Sequence, residues 1–152
     1  MLNLKRTLSL LALAAVFPLS AMADMPGKHP GYLHALSDLR AARWNLEHRP
    51  GDAAVSGQED VAITEIDRAI HEAKVAAIED GKNLADHPKE DAHLDHPGRL
   101  HHAMELLRKA KADVSGEEDN PESREMRHRV LEHVDAAMHA TERAIHDVEH
   151  GR

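Results

Sequence analysis

The chain has 152 residues with no cysteine, three aromatic residues and 14 histidines, and its 27 acidic side chains outnumber 19 basic ones. That balance argues against nucleic acid, whose phosphates need a basic surface, and against anionic lipid. With no thiol, neither a disulfide nor a thiolate metal site can form, so a core of small aliphatic side chains has to hold the fold.

Lys5 and Arg6 precede an apolar run from Leu8 to Leu19, and Ala21-Met22-Ala23 has the small-x-small form of a signal-peptidase site. Residues 1–23 therefore read as a cleaved signal peptide, since the run is too short to span a bilayer. Cleavage before Asp24 leaves 129 residues with 17 basic and 27 acidic side chains, expected in the periplasm or outside the cell. Their length suits one domain over 24–152.

Apolar residues recur at helical spacing throughout, which predicts an all-α fold. The first helix should run from about Pro30 to His48 and bury Leu33, Leu36, Leu39 and Leu46, ending at Arg49-Pro50-Gly51. Ser56-Gly57-Gln58-Glu59 has the form of a capping box. The helix after it should bury Ala62, Ile66, Ala69, Ile70, Ala73 and Ala77 and stop by Gly81. A polar linker over 82–96 holds His87-Pro88. The third helix starts near Pro97, buries Leu100, Ala103, Met104, Leu107 and Val114, and ends at Ser115-Gly116. Asn120-Pro121 should open the fourth, which buries Val130, Leu131, Val134, Met138, Thr141, Ile145 and Val148. Two hairpins, 30–81 and 97–150, are expected to close as an antiparallel up-down-up-down four-helix bundle.

The hairpins are copies. A shift of 68 residues carries His34 to His102, Leu39-Arg40 to Leu107-Arg108, Asp67 to Asp135, His71 to His139 and Ala76 to Ala144. His29-Pro30-Gly31 also recurs as His96-Pro97-Gly98, one residue out of that register.

Most histidines fall on the outward sectors of their helices. Asp135, His139, Glu142, His146 and His150 follow one another at steps of three or four and form one stripe. A His–x₃–His pair such as His146 and His150 can chelate a divalent transition ion, with carboxylates completing the shell. Asp67 and His71 repeat the Asp135 and His139 spacing. The densest group is at the junction, where His93, Asp95, His96, His101 and His102 join His87 and Asp91. Neutral imidazole with carboxylate suits copper ahead of nickel or zinc. No spacing matches a closed structural zinc site, and outward histidines give no haem pocket. The plain alternative is a solvated face with weak Asp–His pairs.

The segment from His133 to His146, His-Val-Asp-Ala-Ala-Met-His-Ala-Thr-Glu-Arg-Ala-Ile-His, resembles the small periplasmic metal-binding proteins of bacteria. The resemblance implies an exported, histidine-rich, internally repeated four-helix bundle that binds several divalent ions, copper notably. It carries His133, His139 and His146 over as ligands.

Taken together, the expected function is an exported metal-binding or buffering protein. A non-enzymatic structural, stress or chaperone-like interaction module, with histidines that sense acid, is the alternative. Catalysis is the weakest reading, because no nucleophile–base arrangement is suggested and the serines sit at caps or on polar faces.

Overall fold

The structure is a computed structural model that describes residues 30–48, 56–77, 93–116 and 121–151. The signal segment, Gly81, His87, Asp91 and Asn120 lie outside the described residues. Within them the chain forms four α-helices: α1 Pro30–Glu47, α2 Gly57–Ala77, α3 His96–Ser115 and α4 Pro121–Glu149. The ends follow local chemistry. Ser56 Oγ accepts from the Glu59 amide at 3.3 Å, and Glu59 Oε2 takes the Ser56 amide at 2.8 Å, so the expected capping box is present. Asp95 caps α3, accepting from the Gly98 amide at 2.8 Å. A Cβ on Gly98 would stand 2.7 Å from that same carboxylate oxygen. Glycine in this motif therefore makes room for the cap.

The helices pack as a four-helix bundle in which α1 touches α2 and α3, and α4 touches α2 and α3. Every one of these contacts is antiparallel. The start of α3 lies at the end of α1, where Arg99 donates to the His48 carbonyl. Lys111–Asp135 and His101–Glu149 run α4 back along α3, and Gln58–Arg143, Glu65–His133 and Glu72–Arg129 run it back along α2. It follows that α2 and α3 share one direction and lie on a diagonal. The antiparallel four-helix bundle is as expected, with the directions in chain order running up, down, down, up rather than alternating. Eighteen residues separate Ala77 from His96, enough chain to return along a helix about 30 Å long.

This order gives the duplication a geometric meaning. A two-fold axis across the bundle exchanges α1 with α3 and α2 with α4, and the core obeys the 68-residue shift. Tyr32/Leu100, Ala35/Ala103, Leu36/Met104, Leu39/Leu107, Ala42/Ala110 and Leu46/Val114 are buried in both copies. So are Ala62/Val130, Ile66/Val134, Ala69/Ala137, Ala73/Thr141 and Ala76/Ala144. On α2 and α4 these positions step by three and four, the rhythm of a bundle seam, and on α1 and α3 the adjacent pairs Ala35–Leu36 and Ala103–Met104 widen the same stripe. An ion pair is duplicated too: Arg43 Nε meets Asp67 Oδ1 at 2.6 Å, and Lys111 Nζ meets Asp135 Oδ1 at 2.6 Å.

The buried stripe of α4 is rotated from the expected one. Ala137, Ala140 and Ala144 are buried with Val130, Val134 and Thr141, while Leu131, Met138, Ile145 and Val148 are partly buried at its flanks, as is Leu33 on α1. Alanine at the seam lets two helix backbones approach, and larger side chains then fit only at the margins.

Candidate metal-binding face

None of the twelve described histidines is buried. The buried polar side chains are Asn45, Glu59, Arg99 and Thr141, so among the described residues the core holds no histidine and a single carboxylate, Glu59, fewer ligands than bundle-core metal centres are built from.

Two histidines make close, half-buried contacts between helices. His96 Nε2 lies 2.7 Å from Glu59 Oε1, and the Glu59 side chain is only 1 % exposed. His133 Nδ1 lies 2.7 Å from Glu65 Oε2, and Glu65 also holds Arg68 at 2.5 Å. Both carboxylates join α2 to another helix through an imidazole. In the sequence Glu59 stood out only as a capping residue and Glu65 not at all, because periodicity assigns a residue to a face without saying what faces it. The one available signal was that Glu65 precedes His133 by the repeat length.

Beside this pair runs a shallow groove of about 370 Å³ between α2 and α4, lined by Thr64, Asp67, Arg68, His71, Glu72 and His133. It brings His71 and His133 to one surface. Arg129 reaches Glu72 at 2.9 Å alongside it, and that hydrogen bond, ahead of the attraction of Glu72 and Glu125, raises the arginine's pKa against the cost of its own desolvation. The Asp67 carboxylate is turned to Arg43, whose pKa rises above its already high ordinary value, first through that hydrogen bond. Asp135 is likewise turned to Lys111. The repeated aspartates thus serve the repeated ion pair, rather than lying against His71 and His139.

On the outer face of α4, His139 is largely exposed, with Glu142 3.9 Å away. His146 and His150 stack with ring centroids 4.1 Å apart and planes 18° from parallel. His150 Nδ1 lies 2.8 Å from the His146 carbonyl oxygen, and His146 Nδ1 is 3.6 Å from Asp147. A stacked pair does not aim two nitrogen lone pairs at one point, so chelation requires one exposed ring to turn about its side-chain torsions.

The junction is divided among several tasks. Asp95 is occupied as the helix cap, His96 belongs to Glu59, and His93 is exposed in the turn before α3. His101 Nε2 lies 3.3 Å from Glu149 Oε1, and His102 lies 3.7 Å from Glu105. Glu149 therefore links His101 to the helix turn that carries His146 and His150. Among the described residues, no three His, Asp or Glu side chains converge tightly enough to hold an ion as they stand. Trp44 covers the bundle end beneath Arg99, 5.5 Å from its ring centre, and stacks on His48 at 4.3 Å.

Comparison with known proteins finds no matching family model, no matching curated protein and no matching solved structure.

Proposed function

We propose that the chain is an exported metal-binding or metal-buffering protein that takes divalent transition ions, copper ahead of nickel and zinc, at several exposed sites of moderate affinity. The observation that supports this most is the partition of the molecule. The core closes almost entirely on apolar side chains, and all twelve described histidines are left out of it, several of them beside carboxylates. Sites of this kind gather two or three ligands by small side-chain movements and release the ion readily, which suits a buffer better than a catalyst or a structural centre. Stability without metal follows from the same partition, in contrast to small zinc domains that fold only on binding.

Calorimetric titration of residues 24–152 with Cu²⁺, Ni²⁺ and Zn²⁺ tests this reading. Several copper equivalents bound at pH 7, with a helical circular dichroism spectrum already present in chelator, is the expected result. No binding beyond that of a histidine-poor helical bundle would end it.

A second reading has support of its own. His96–Glu59 and His133–Glu65 tie helices together through groups that change charge as histidine titrates, which suits an interaction module that responds to acid. A melting temperature sensitive to pH between about 5 and 7, the histidine range, but indifferent to copper would favour that alternative.

A further inference from the structure

Hairpin one (α1 and α2) and hairpin two (α3 and α4) meet across the pseudo-two-fold, yet the polar contacts over the α2·α4 seam are one-sided. Glu65 and His133, counterparts in the repeat, stand 2.7 Å apart. On either side of them Arg129 donates to Glu72 at 2.9 Å and Arg143 donates to Gln58 at 2.7 Å. In these contacts α2 offers the oxygen atoms and α4 the cationic or imidazole groups. The buried positions beneath do not discriminate, since both copies present small or aliphatic side chains there. Two copies of hairpin one placed over the same axis would set Glu65 against Glu65, and two copies of hairpin two would set His133 against His133. Like groups opposed at an isologous contact are a means of rejecting a wrong partner.

We propose that the α2 and α4 faces are a heterotypic recognition pair that serves a second copy of this chain as well as its own. Hairpin one of one chain seats on hairpin two of another, and the reciprocal pairing closes a dimer of two bundles with the same seams. Nothing in the seam itself distinguishes a partner within the chain from one in a second chain. Only the covalent connection does, by raising the effective concentration of the partner within the same chain. The monomer therefore dominates in dilute solution. The exchanged dimer takes over when the protein is concentrated, or when the pairing within one chain is mismatched. The pairing does not rest on the proposed metal binding.

The test uses two full-length mature chains, one carrying Glu65→Arg and the other His133→Glu. Each alone sets like groups at the axis: the introduced arginine faces His133 in the first, and the introduced carboxylate faces Glu65 in the second. In a reciprocal dimer of the two, one bundle pairs the introduced arginine with the introduced glutamate, and the other keeps Glu65 with His133. The chains, one of them isotopically labelled, are refolded together and examined by native mass spectrometry and sedimentation. The expected result is a mixed dimer at least about tenfold more abundant than either self-dimer, the ratio that a difference of about 1.4 kcal/mol produces. Monomers only, or random mixing of labelled and unlabelled chains, would overturn the proposal. Should neither variant fold alone, recovery of helix on mixing supports it. Recovery only in the single chain carrying Glu65→Arg and His133→Glu together would show that recognition stops at the chain's own partner.

Discussion

Glu65 and His133 are 68 residues apart in the chain and 2.7 Å apart in the bundle, so a side chain touches its own counterpart in the repeat. Two repeats related by rotation bring counterparts together only near the axis. Ile66 and Val134, the next residues in each copy, are both completely buried there, and Leu39 and Leu107 are a second pair of counterparts, buried on α1 and α3. The chain is thus built as two similar hairpins facing each other about one line.

Leu39→Ala and Leu107→Ala should cost nearly the same. Each removes a fully buried leucine, a change that loses about 2–5 kcal/mol according to how far the site can collapse. Because the surroundings are counterparts, the two losses should agree within about 1 kcal/mol, a margin smaller than the usual spread among leucine sites. Urea denaturation of both variants measures this. A difference of several kcal/mol would mean that the halves share topology without sharing packing.

The duplicated aspartates give a second prediction, one that separates stability from binding. Asp67 and Asp135 meet Arg43 and Lys111 at 2.6 Å, but these groups are half exposed, and such pairs are worth about 0.2–1 kcal/mol. Asp67→Ala and Asp135→Ala should each lower the melting temperature by about 1–4 °C. Neither should alter the copper count in calorimetry. A lost copper equivalent in either variant would return that aspartate to the ligand set with His71 or His139.

Much of this arrangement was legible one helix at a time. The capping box at Ser56 and Glu59 and the 68-residue shift can both be read along the chain without knowing what faces what, and the structure shows each of them. What needed the third dimension was the choice of partner. Asp67 stands four residues from His71, which suggests a shared site, but Arg43 on α1 claims its carboxylate. The same holds for Glu59, a capping residue in sequence that is also the buried partner of His96 from another helix. On α4, hydropathy drew the expected core toward Leu131, Met138 and Ile145. Close helix approach instead selected the smallest side chains, Ala137, Ala140 and Ala144. The order of helix directions was hidden for a related reason: a polar stretch between two helices does not say at which end of the bundle the second one begins.

Asp113 provides a pH-dependent prediction with a definite sign. Burial raises its pKa, and the attraction of His34 and Lys109 offsets only part of that. A carboxyl raised on folding contributes stability below its unfolded pKa of about 3.9 and loses it as pH rises through the folded value. The ionised side chain is therefore a cost at neutral pH. Asp113→Asn should raise the melting temperature there by about 1–2 °C, the scale of a change at a half-buried position, and the gain should vanish below about pH 4, where the carboxyl is neutral in both states. The other half already carries this solution, because the counterpart of Asp113 in the repeat is Asn45, buried and donating to the Ala41 carbonyl at 2.9 Å. A variant less stable than the parent at neutral pH would show that His34 and Lys109 outweigh the burial.

His146 and His150 offer the most direct test of binding. Both are exposed, and their stacked rings leave Nε2 of each free to meet an ion once one ring turns, with His139 and Glu142 one to two turns away on the same helix. Coordination requires neutral imidazole, so copper binding should weaken steeply between about pH 7 and pH 5 as histidine protonates. His146→Ala with His150→Ala should remove at least one copper equivalent at neutral pH. The same double change should shift the melting temperature in chelator by less than about 2 °C, because exposed substitutions away from caps and core rarely cost more than about 0.5 kcal/mol. Titration calorimetry and thermal melts on one preparation give both numbers. A full copper count in the double variant would leave the stripe as a solvated helix face. A large loss of stability in chelator would mean that the stacked rings hold the end of α4 in place, and that ion binding has to be sought instead at His101 and Glu149 or in the groove between α2 and α4.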